Sequence, residues 1–115
     1  MSLAARERTA AAGLVALAVA GVLSACGGAP SPADPSTVEA GARVFSQQGC
    51  GTCHTLGAAG SRGVIGPSLD ARRPPVDRVV SQVQEGGGAM PAYAGRLSDE
   101  EIDAVAAYVA EVAGR

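Results

Sequence analysis

The stretch Cys50-Gly51-Thr52-Cys53-His54 constrains this chain more than any other feature. Two thiols separated by two residues and followed at once by a histidine are the attachment signature of a c-type haem. Each cysteine sulfur can add to one vinyl group of the porphyrin to form a thioether, and His54 then lies where it can bind the iron. The spacing therefore predicts one haem c, held covalently through Cys50 and Cys53.

Two other functions of a Cys-x-x-Cys stretch fit this sequence less well. A thioredoxin-like redox pair follows a strand in a βαβ unit, whereas this motif ends a helical pattern in a chain without convincing strands. A zinc site would obtain three ligands at most from residues 50–54, and no second cluster of cysteine or histidine completes the tetrahedron. We therefore interpret the motif as a haem site.

The start of the chain is interpreted as a lipoprotein signal peptide over residues 1–25. A basic start precedes a mainly apolar run at 9–22, which is shorter than the roughly 20 residues of a membrane-spanning helix. The following Leu-Ser-Ala-Cys, which ends at Cys26, resembles the lipobox of bacterial lipoproteins. That resemblance implies lipidation of Cys26. An uncleaved signal anchor and a plain secretory signal are the alternatives.

The remaining chain divides into a short tether and one domain. Residues 26–35 are predicted to be a lipid-anchored flexible linker, because they are rich in Gly, Pro and Ser and lack apolar periodicity. Residues 36–115 are the predicted haem domain, and the length of 115 residues fits one such domain plus a leader. We expect an exported protein, anchored at the outer face of the cytoplasmic membrane or in the periplasm.

The first predicted helix has two possible starts. Ser36 with Glu39 three residues later forms a capping box, while Asp34 followed by Pro35 offers a competing start. Gly41 lies inside this helix, where a glycine costs about 0.5–1 kcal/mol relative to alanine. We expect Gly41 to permit a close crossing with another helix.

Two later helices are predicted from apolar stripes at helical spacing. One covers Val76 to Glu85 and is expected to bury four valines. The other begins at Ser98, with Glu101 completing a capping box and Leu97 and Ile102 forming a hydrophobic staple. Its expected buried stripe consists of Ile102, Val105, Ala106, Val109 and Val112. Residues 55–66, between the haem motif and these helices, are predicted to form an irregular loop.

Composition restricts both the core and the partners. Apolar residues make up 47% of the chain, but most are small, with one Phe, two Tyr and no Trp. So little aromatic volume predicts a poorly folded protein without its haem. The chain has nine arginines, no lysine and eleven acids. Because no basic run occurs, we expect no nucleic-acid partner.

Composition also limits the iron ligands. His54 is the only histidine, lysine is absent, and the only methionine besides Met1 in the leader is Met90. We therefore predict axial ligation by His54 and Met90. The alternative is a five-coordinate or water-bound iron with Met90 in the core. Pro67 retains a carbonyl that can accept a hydrogen bond from the second ring nitrogen of the histidine.

Residues 72–75, Arg-Arg-Pro-Pro, form a predicted basic turn. Such a turn is more often solvated than functional. Haem nevertheless carries two propionates, for which arginine is a suitable donor. Contact of Arg72 and Arg73 with the propionates is therefore a second interpretation.

The order of these motifs over residues 36–113 resembles the monohaem bacterial class I cytochromes c and the haem domains attached to terminal oxidases. The resemblance implies an all-α cytochrome c fold, with three to four short helices around one haem and crossed N- and C-terminal helices. It assigns the Pro67 carbonyl to the haem histidine and places Leu69 and Tyr93 among the haem contacts. The helix crossing would be formed by Gly41, Phe45 and Tyr108. Because this chain lacks lysine, the basic ring of mitochondrial cytochromes c is absent.

The first function expected is that of an electron carrier rather than an enzyme, with both axial positions of the iron filled and no small-molecule substrate. Its partners would be membrane respiratory or photosynthetic complexes or soluble redox carriers. Without residues 1–25 the chain keeps seven arginines and ten acids, and this net charge near −3 favours docking by an acidic or small apolar surface. One alternative is a fixed haem c subunit of a larger oxidoreductase. The other is a haem enzyme or gas sensor with an open iron site.

Overall fold

The computed structural model describes residues 31–115. Within this range the chain forms, in order, α1 (Pro35–Gln47), β1 (Thr55–Leu56), β2 (Ser61–Arg62), α2 (Leu69–Arg72), α3 (Val76–Glu85) and α4 (Asp99–Val112), with single 3₁₀ turns at Cys50–Thr52 and Gly57–Ala59. None of the helices in this range has the length and apolar character needed to cross a membrane. The predicted signal peptide, Cys26 and the first part of the predicted linker lie outside the described residues.

Helix α1 begins at the second of the two predicted starts. Asp34 is the N-cap, and its carboxylate accepts a hydrogen bond from the backbone amide of Ser36 at 2.9 Å. Pro35 occupies the first helical position, where its missing amide hydrogen costs nothing. The Ser36 capping box does not form, because Ser36 lies inside the helix and its hydroxyl donates to Asp34 at 2.6 Å. Glu39 instead forms a 2.9 Å ion pair with Arg43 on the exposed surface.

Helix α4 begins with the predicted capping box. The Ser98 hydroxyl accepts from the Glu101 amide at 3.1 Å, and the Glu101 carboxylate accepts from the Ser98 amide at 2.9 Å. Leu97 and Ile102 are both buried on either side of this start. The acidic residues here thus serve the positive end of the helix dipole.

Helices α1 and α4 cross at Gly41, as predicted. A Cβ atom at Gly41 would collide with the carbonyl oxygen of Ala104 and with the side chain of Tyr108. Next to this contact, the rings of Phe45 and Tyr108 pack edge to face with their centroids 5.8 Å apart. The missing side chain therefore lets the two helix backbones approach each other, and the aromatic pair closes the gap beside them.

Helix α3 has the predicted bounds but buries a shorter stripe. Val79 and Val83 are buried and Val80 is partly buried, whereas Val76 is 45% exposed. The expectation that Val76 is buried was therefore wrong. Periodicity specifies which face of a helix is apolar, but not how far along the helix a neighbouring element covers that face.

The segment 55–66 contains a small hairpin that the sequence analysis did not predict. Thr55 pairs with Arg62 and Leu56 with Ser61 in an antiparallel ladder. The Leu56 side chain is completely buried. Strands of two residues are too short to show the alternating pattern by which strands are predicted. Helix α2 was not predicted either, because its four residues are too few to show the period of a helix.

Candidate haem-binding site

A cleft of about 760 Å³ brings together all the site residues predicted within the described range. This volume lies within the roughly 300–1,000 Å³ typical of cofactor clefts. The predicted residues that line it are Cys50, Cys53, His54, Pro67, Leu69, Met90 and Tyr93. Apolar side chains from three helices complete the wall: Phe45 of α1, Val79 and Val83 of α3, and Val105 and Val109 of α4. The predicted lipidation residue, Cys26, lies outside the described residues.

The two cysteines lie on a tight turn at the end of α1. The backbone reverses at Gly49, which has φ of 69°, and enters the 3₁₀ turn that carries Cys50. The amide of His54 then donates to the carbonyl of Cys50 at 3.0 Å. Both Cys50 and Cys53 are half-buried free thiols. Burial raises the pKa of the Cys50 thiol.

The His54 ring is oriented by the backbone carbonyl of Pro67. Its Nδ1 lies 2.8 Å from that oxygen. Because a carbonyl can only accept a hydrogen bond, we assign the proton to Nδ1, which leaves the lone pair on Nε2 free for a metal. This arrangement suits an iron ligand of fixed orientation.

Gly66 lies against the same ring and was not recognised in the sequence analysis. A Cβ atom there would come within 2.8 Å of His54 Nδ1. The Gly66 amide also donates to the carbonyl of Cys53 at 2.8 Å. The segment that leads to Pro67 is thus folded directly onto the cysteine motif. The only sequence signal for this role of Gly66 was its position directly before Pro67, the predicted hydrogen-bond acceptor.

The loop that carries Met90 is held more firmly than its glycine content suggests. Gly87 and Met90 exchange two backbone hydrogen bonds, at 2.9 and 3.0 Å. Gly86 adopts φ of 67°, and a Cβ atom there would lie 2.7 Å from the Met90 carbonyl oxygen and from the amide nitrogen of Ala92. The amide of Tyr93 donates to the carbonyl of Val83 at 2.9 Å. The loop is therefore anchored to the end of α3.

Among the described residues 31–115, two arginines and no carboxylates line the cleft. They are Arg72, which the sequence analysis named, and Arg78, which it missed. Arg73 instead donates to the carbonyl of Gly114 at 3.3 Å, away from the cleft. Arg78 and Gln82, which also lines the cleft, are four positions apart in the sequence, so both lie on one face of α3. These guanidinium groups suit the two carboxylates that a porphyrin carries.

Tyr93 is buried in the cleft wall. Burial raises the pKa of its hydroxyl, so the side chain remains neutral. The Arg96 guanidinium lies 5.1 Å from the centroid of the Tyr93 ring, within the range of a cation–π contact. Tyr93 thereby contributes an apolar ring face to the cleft wall, and the Arg96 guanidinium packs against this ring.

The residues of this cleft fit a covalently attached haem. They supply two thiols at the attachment spacing, an imidazole with a free Nε2, and one thioether sulfur. The remaining lining is mainly apolar, with cationic groups among it. A planar apolar macrocycle with two carboxylates and an iron centre requires this combination.

Comparisons with known proteins agree with this assignment. A family model described as "Cytochrome C oxidase, cbb3-type, subunit III" matches residues 36–109. The chain is 41% identical to cytochrome c6 of Leptolyngbya boryana over 78 residues, covering 64% of this chain and 91% of that relative. It is 36% identical to cytochrome c6 of Picosynechococcus sp. over 110 residues, covering 86% of this chain and 91% of the relative.

A solved structure gives the same result. The c-type cytochrome SorU from Sinorhizobium meliloti superposes with a TM-score of 0.67 at 41% identity, over 71% of this chain and 97% of SorU. Members of the cytochrome c family carry haem c attached through cysteine, and Cys50 and Cys53 are the corresponding pair here. The predicted all-α cytochrome c fold is confirmed. This chain belongs to the small monohaem class I cytochromes c, which are electron carriers and not enzymes.

Proposed function

We propose that this cytochrome is tethered to a membrane through Cys26 and carries single electrons with an iron ligated by His54 and Met90. Its partners would be membrane respiratory or photosynthetic complexes or soluble redox carriers, and it would take no small-molecule substrate. The proposed organisation is a signal peptide at 1–25, a lipid-anchored linker at 26–35 and a haem domain at 36–115.

One observation carries the ligand assignment. The only histidine of the chain and the only methionine outside the leader line the same cleft as the two cysteines. With the proton assigned to Nδ1 by the bond to Pro67, the lone pair of His54 Nε2 is the one available to a metal. No other nitrogen or sulfur side chain suited to iron lines the described cleft, since its remaining polar side chains are arginines, a glutamine and a tyrosine.

Bound haem supplies the chemistry, a one-electron change between ferric and ferrous iron. The protein contributes the environment. Thioether ligation by Met90 favours the ferrous state and raises the reduction potential. With haem bound, the apolar walls would keep water from the iron, and Arg72 and Arg78, which line the cleft, would be available to bind the propionates. If His54 and Met90 both bound the iron, they would leave no open position for an exogenous ligand.

Replacement of the methionine tests the ligand assignment. Met90→His exchanges a thioether for an imidazole, so we expect the potential to fall by a measurable part of the roughly 0.8 V range that haem ligands span. Met90→Ala should open the site and allow the ferrous protein to bind carbon monoxide. Ala89→Ser, at the exposed neighbouring position, is the control and should do neither. Rapid carbon monoxide binding by the unmodified ferrous protein would instead support a gas sensor.

The lipid tether is tested separately. Mass spectrometry of the mature N-terminus should find residue 26 at the start of the chain, with a diacylglyceryl group on its sulfur. Cys26→Ser should release the holo-protein from the membrane fraction without changing its visible spectrum. Membrane retention of the Cys26→Ser variant would point to an uncleaved anchor.

A fixed subunit of an oxidase is the second candidate function. The matching family model is named for subunit III of a cbb3-type oxidase, whereas the curated relatives are named cytochrome c6. Gentle detergent extraction followed by size analysis distinguishes the two. A free carrier should migrate alone, and a subunit should migrate with companion chains.

A further inference from the structure

Outside the cleft, the Asp70 carboxylate bonds to two backbone amides that lie far from it in sequence. Its Oδ2 accepts from the amide of Gly57 at 2.8 Å, and its Oδ1 accepts from the amide of Gly114 at 2.9 Å. Hydrogen bonds to a charged acceptor are about twice as strong as neutral ones. The two amides, with a smaller contribution from Arg73, hold the pKa of Asp70 below its usual range. Asp70 does not line the haem cleft.

The bond to Gly57 runs beside the bond that orients the histidine. His54 bonds to Pro67, and Gly57 bonds to Asp70, so each bond joins residues 13 positions apart. The segments 54–57 and 67–70 are thus connected at both ends. Apart from the Gly57 bond, the bonds described between these stretches, Gly66 to Cys53 and His54 to Pro67, lie at one end. The Gly57 bond, three residues further along, adds a hold at the other end, and bonds at both ends fix the relative orientation of the segments.

The bond to Gly114 fastens this pair of segments to the core. Gly114 is held through both of its backbone polar groups, because its amide donates to Asp70 and its carbonyl accepts from Arg73 at 3.3 Å. Arg73 adopts φ of 45°, the only non-glycine residue with positive φ in the described range. Gly114 directly follows Ala113, which is buried at the end of α4. The histidine segment is therefore braced on the terminal helix, 44 residues away from Asp70 in sequence.

The acidic residue could alternatively serve only the dipole of α2, in whose first turn it lies. That role does not explain the contacts. A dipole interaction requires neither the Gly57 amide nor the Gly114 amide, and α2 is only four residues long. The carboxylate uses both oxygens on partners outside its own helix.

We propose that Asp70 is a positioning residue for the haem histidine, because its bonds to Gly57 and Gly114 hold the Pro67 carbonyl at hydrogen-bonding distance from His54 Nδ1. This inference rests on the proposed ligation by His54. The bond to Pro67 makes the histidine a more basic ligand, and a more basic ligand favours ferric iron. Loosening the bond should therefore raise the reduction potential.

The test uses the haem-loaded full chain with Asp70→Asn. Asparagine keeps the shape but has a single acceptor oxygen, so at least one of the two amide bonds is lost. We expect a higher potential, and at least tenfold faster solvent exchange of the His54 Nδ1 proton in the NMR spectrum. Asp70→Glu, which restores the charge and both acceptors, should recover part of each change. The matched control is Asp103→Asn, which makes the same change of charge at an exposed acid on α4. It should leave both the potential and the exchange of the His54 proton unchanged.

The outcomes separate this inference from the proposed function. If Asp70→Asn loses protection at the Gly57 and Gly114 amides while the potential and the His54 proton stay unchanged, Asp70 only braces the surface and the inference is wrong. If the unmodified protein shows no paramagnetically shifted His54 ring resonances, the proposed ligation itself fails. If Asp70→Asn does not retain haem, the reduction potential and the exchange of the His54 Nδ1 proton are measured on Asp70→Glu instead. Wild-type values of both quantities in Asp70→Glu would support the need for a carboxylate at this position.

Discussion

The Nδ1 atom of His54 lies 2.8 Å from the carbonyl oxygen of Pro67. The backbone at Gly66 packs so closely against the His54 ring that a Cβ atom there would collide with it. The acceptor is a backbone atom, so the side chain at position 67 is not itself the source of the bond. Backbone position, rather than side-chain identity, therefore controls the orientation of the histidine.

Gly66→Ala should disturb this bond more than Pro67→Ala. The new Cβ atom would lie within 2.8 Å of the imidazole nitrogen and force the ring to move, whereas Pro67→Ala keeps the carbonyl acceptor. We expect Gly66→Ala to shift the potential and the His54 resonances, with small changes for Pro67→Ala. Potentiometric titration of both holo-proteins provides the measurement. Equal effects of the two substitutions would contradict a backbone origin.

Gly86→Ala should weaken the hold on Met90. The substitution combines a positive φ with a collision against the carbonyl oxygen of Met90, and backbone strain of this kind costs about 1–3 kcal/mol. Gly88→Ala is the matched control, because Gly88 also has positive φ, at 58°, but open space around it. We expect the spectroscopic signature of Met90 ligation to weaken in Gly86→Ala alone. Its loss in both variants would indicate that backbone strain, not the collision, is responsible.

Gly41→Ala should destabilise the protein although alanine is the better helix former. Helix propensity alone would add about 0.5–1 kcal/mol of stability. The Cβ atom would overlap with the Ala104 carbonyl and Tyr108, and overpacking of this kind costs about 1–3 kcal/mol. Denaturant unfolding should therefore give a net loss. Ser46→Ala, on the exposed face of α1, is the control for propensity and should not lower stability.

The protein without haem should lack a cooperative thermal transition. The walls of the cleft include valines and a phenylalanine from three helices, and these would face water. Few large side chains remain elsewhere in the core to compensate. Circular dichroism of the haem-free full chain should show a broad transition, compared with a sharp one for the holo-protein. A sharp transition at a similar temperature in the haem-free chain would disprove this expectation.

Stability should fall in acid partly through Asp70. Its folded pKa lies below the unfolded value of about 3.9, because the Gly114 and Gly57 amides stabilise the charged form. The contribution is therefore present above the unfolded pKa and is lost as the pH falls through the folded value. Urea unfolding below about pH 5 should show a shallower pH dependence for Asp70→Asn than for the wild type. Asp103→Asn should retain the wild-type slope.

Elements with a strong local signal were predicted correctly. The start of α4 is encoded by Ser98 and Glu101, which are three residues apart and bond to each other. The crossing at Gly41 was predicted from the cost of a glycine inside a helix. The hairpin at 55–62 and helix α2 were not predicted, because two to four residues carry no readable period.

The covalent chemistry and the short set of candidate ligands follow from the order of residues alone. The thiol spacing, the single histidine and the methionine Met90 are properties of the chain that no folding changes. The groups that surround these residues depend instead on how the helices and loops pack. This packing turned Arg73 towards Gly114, brought Arg78 to the cleft and set Asp70 between Gly57 and Gly114. Such contacts join residues far apart in the chain, and their distances depend on how the helices pack, which local sequence patterns do not specify.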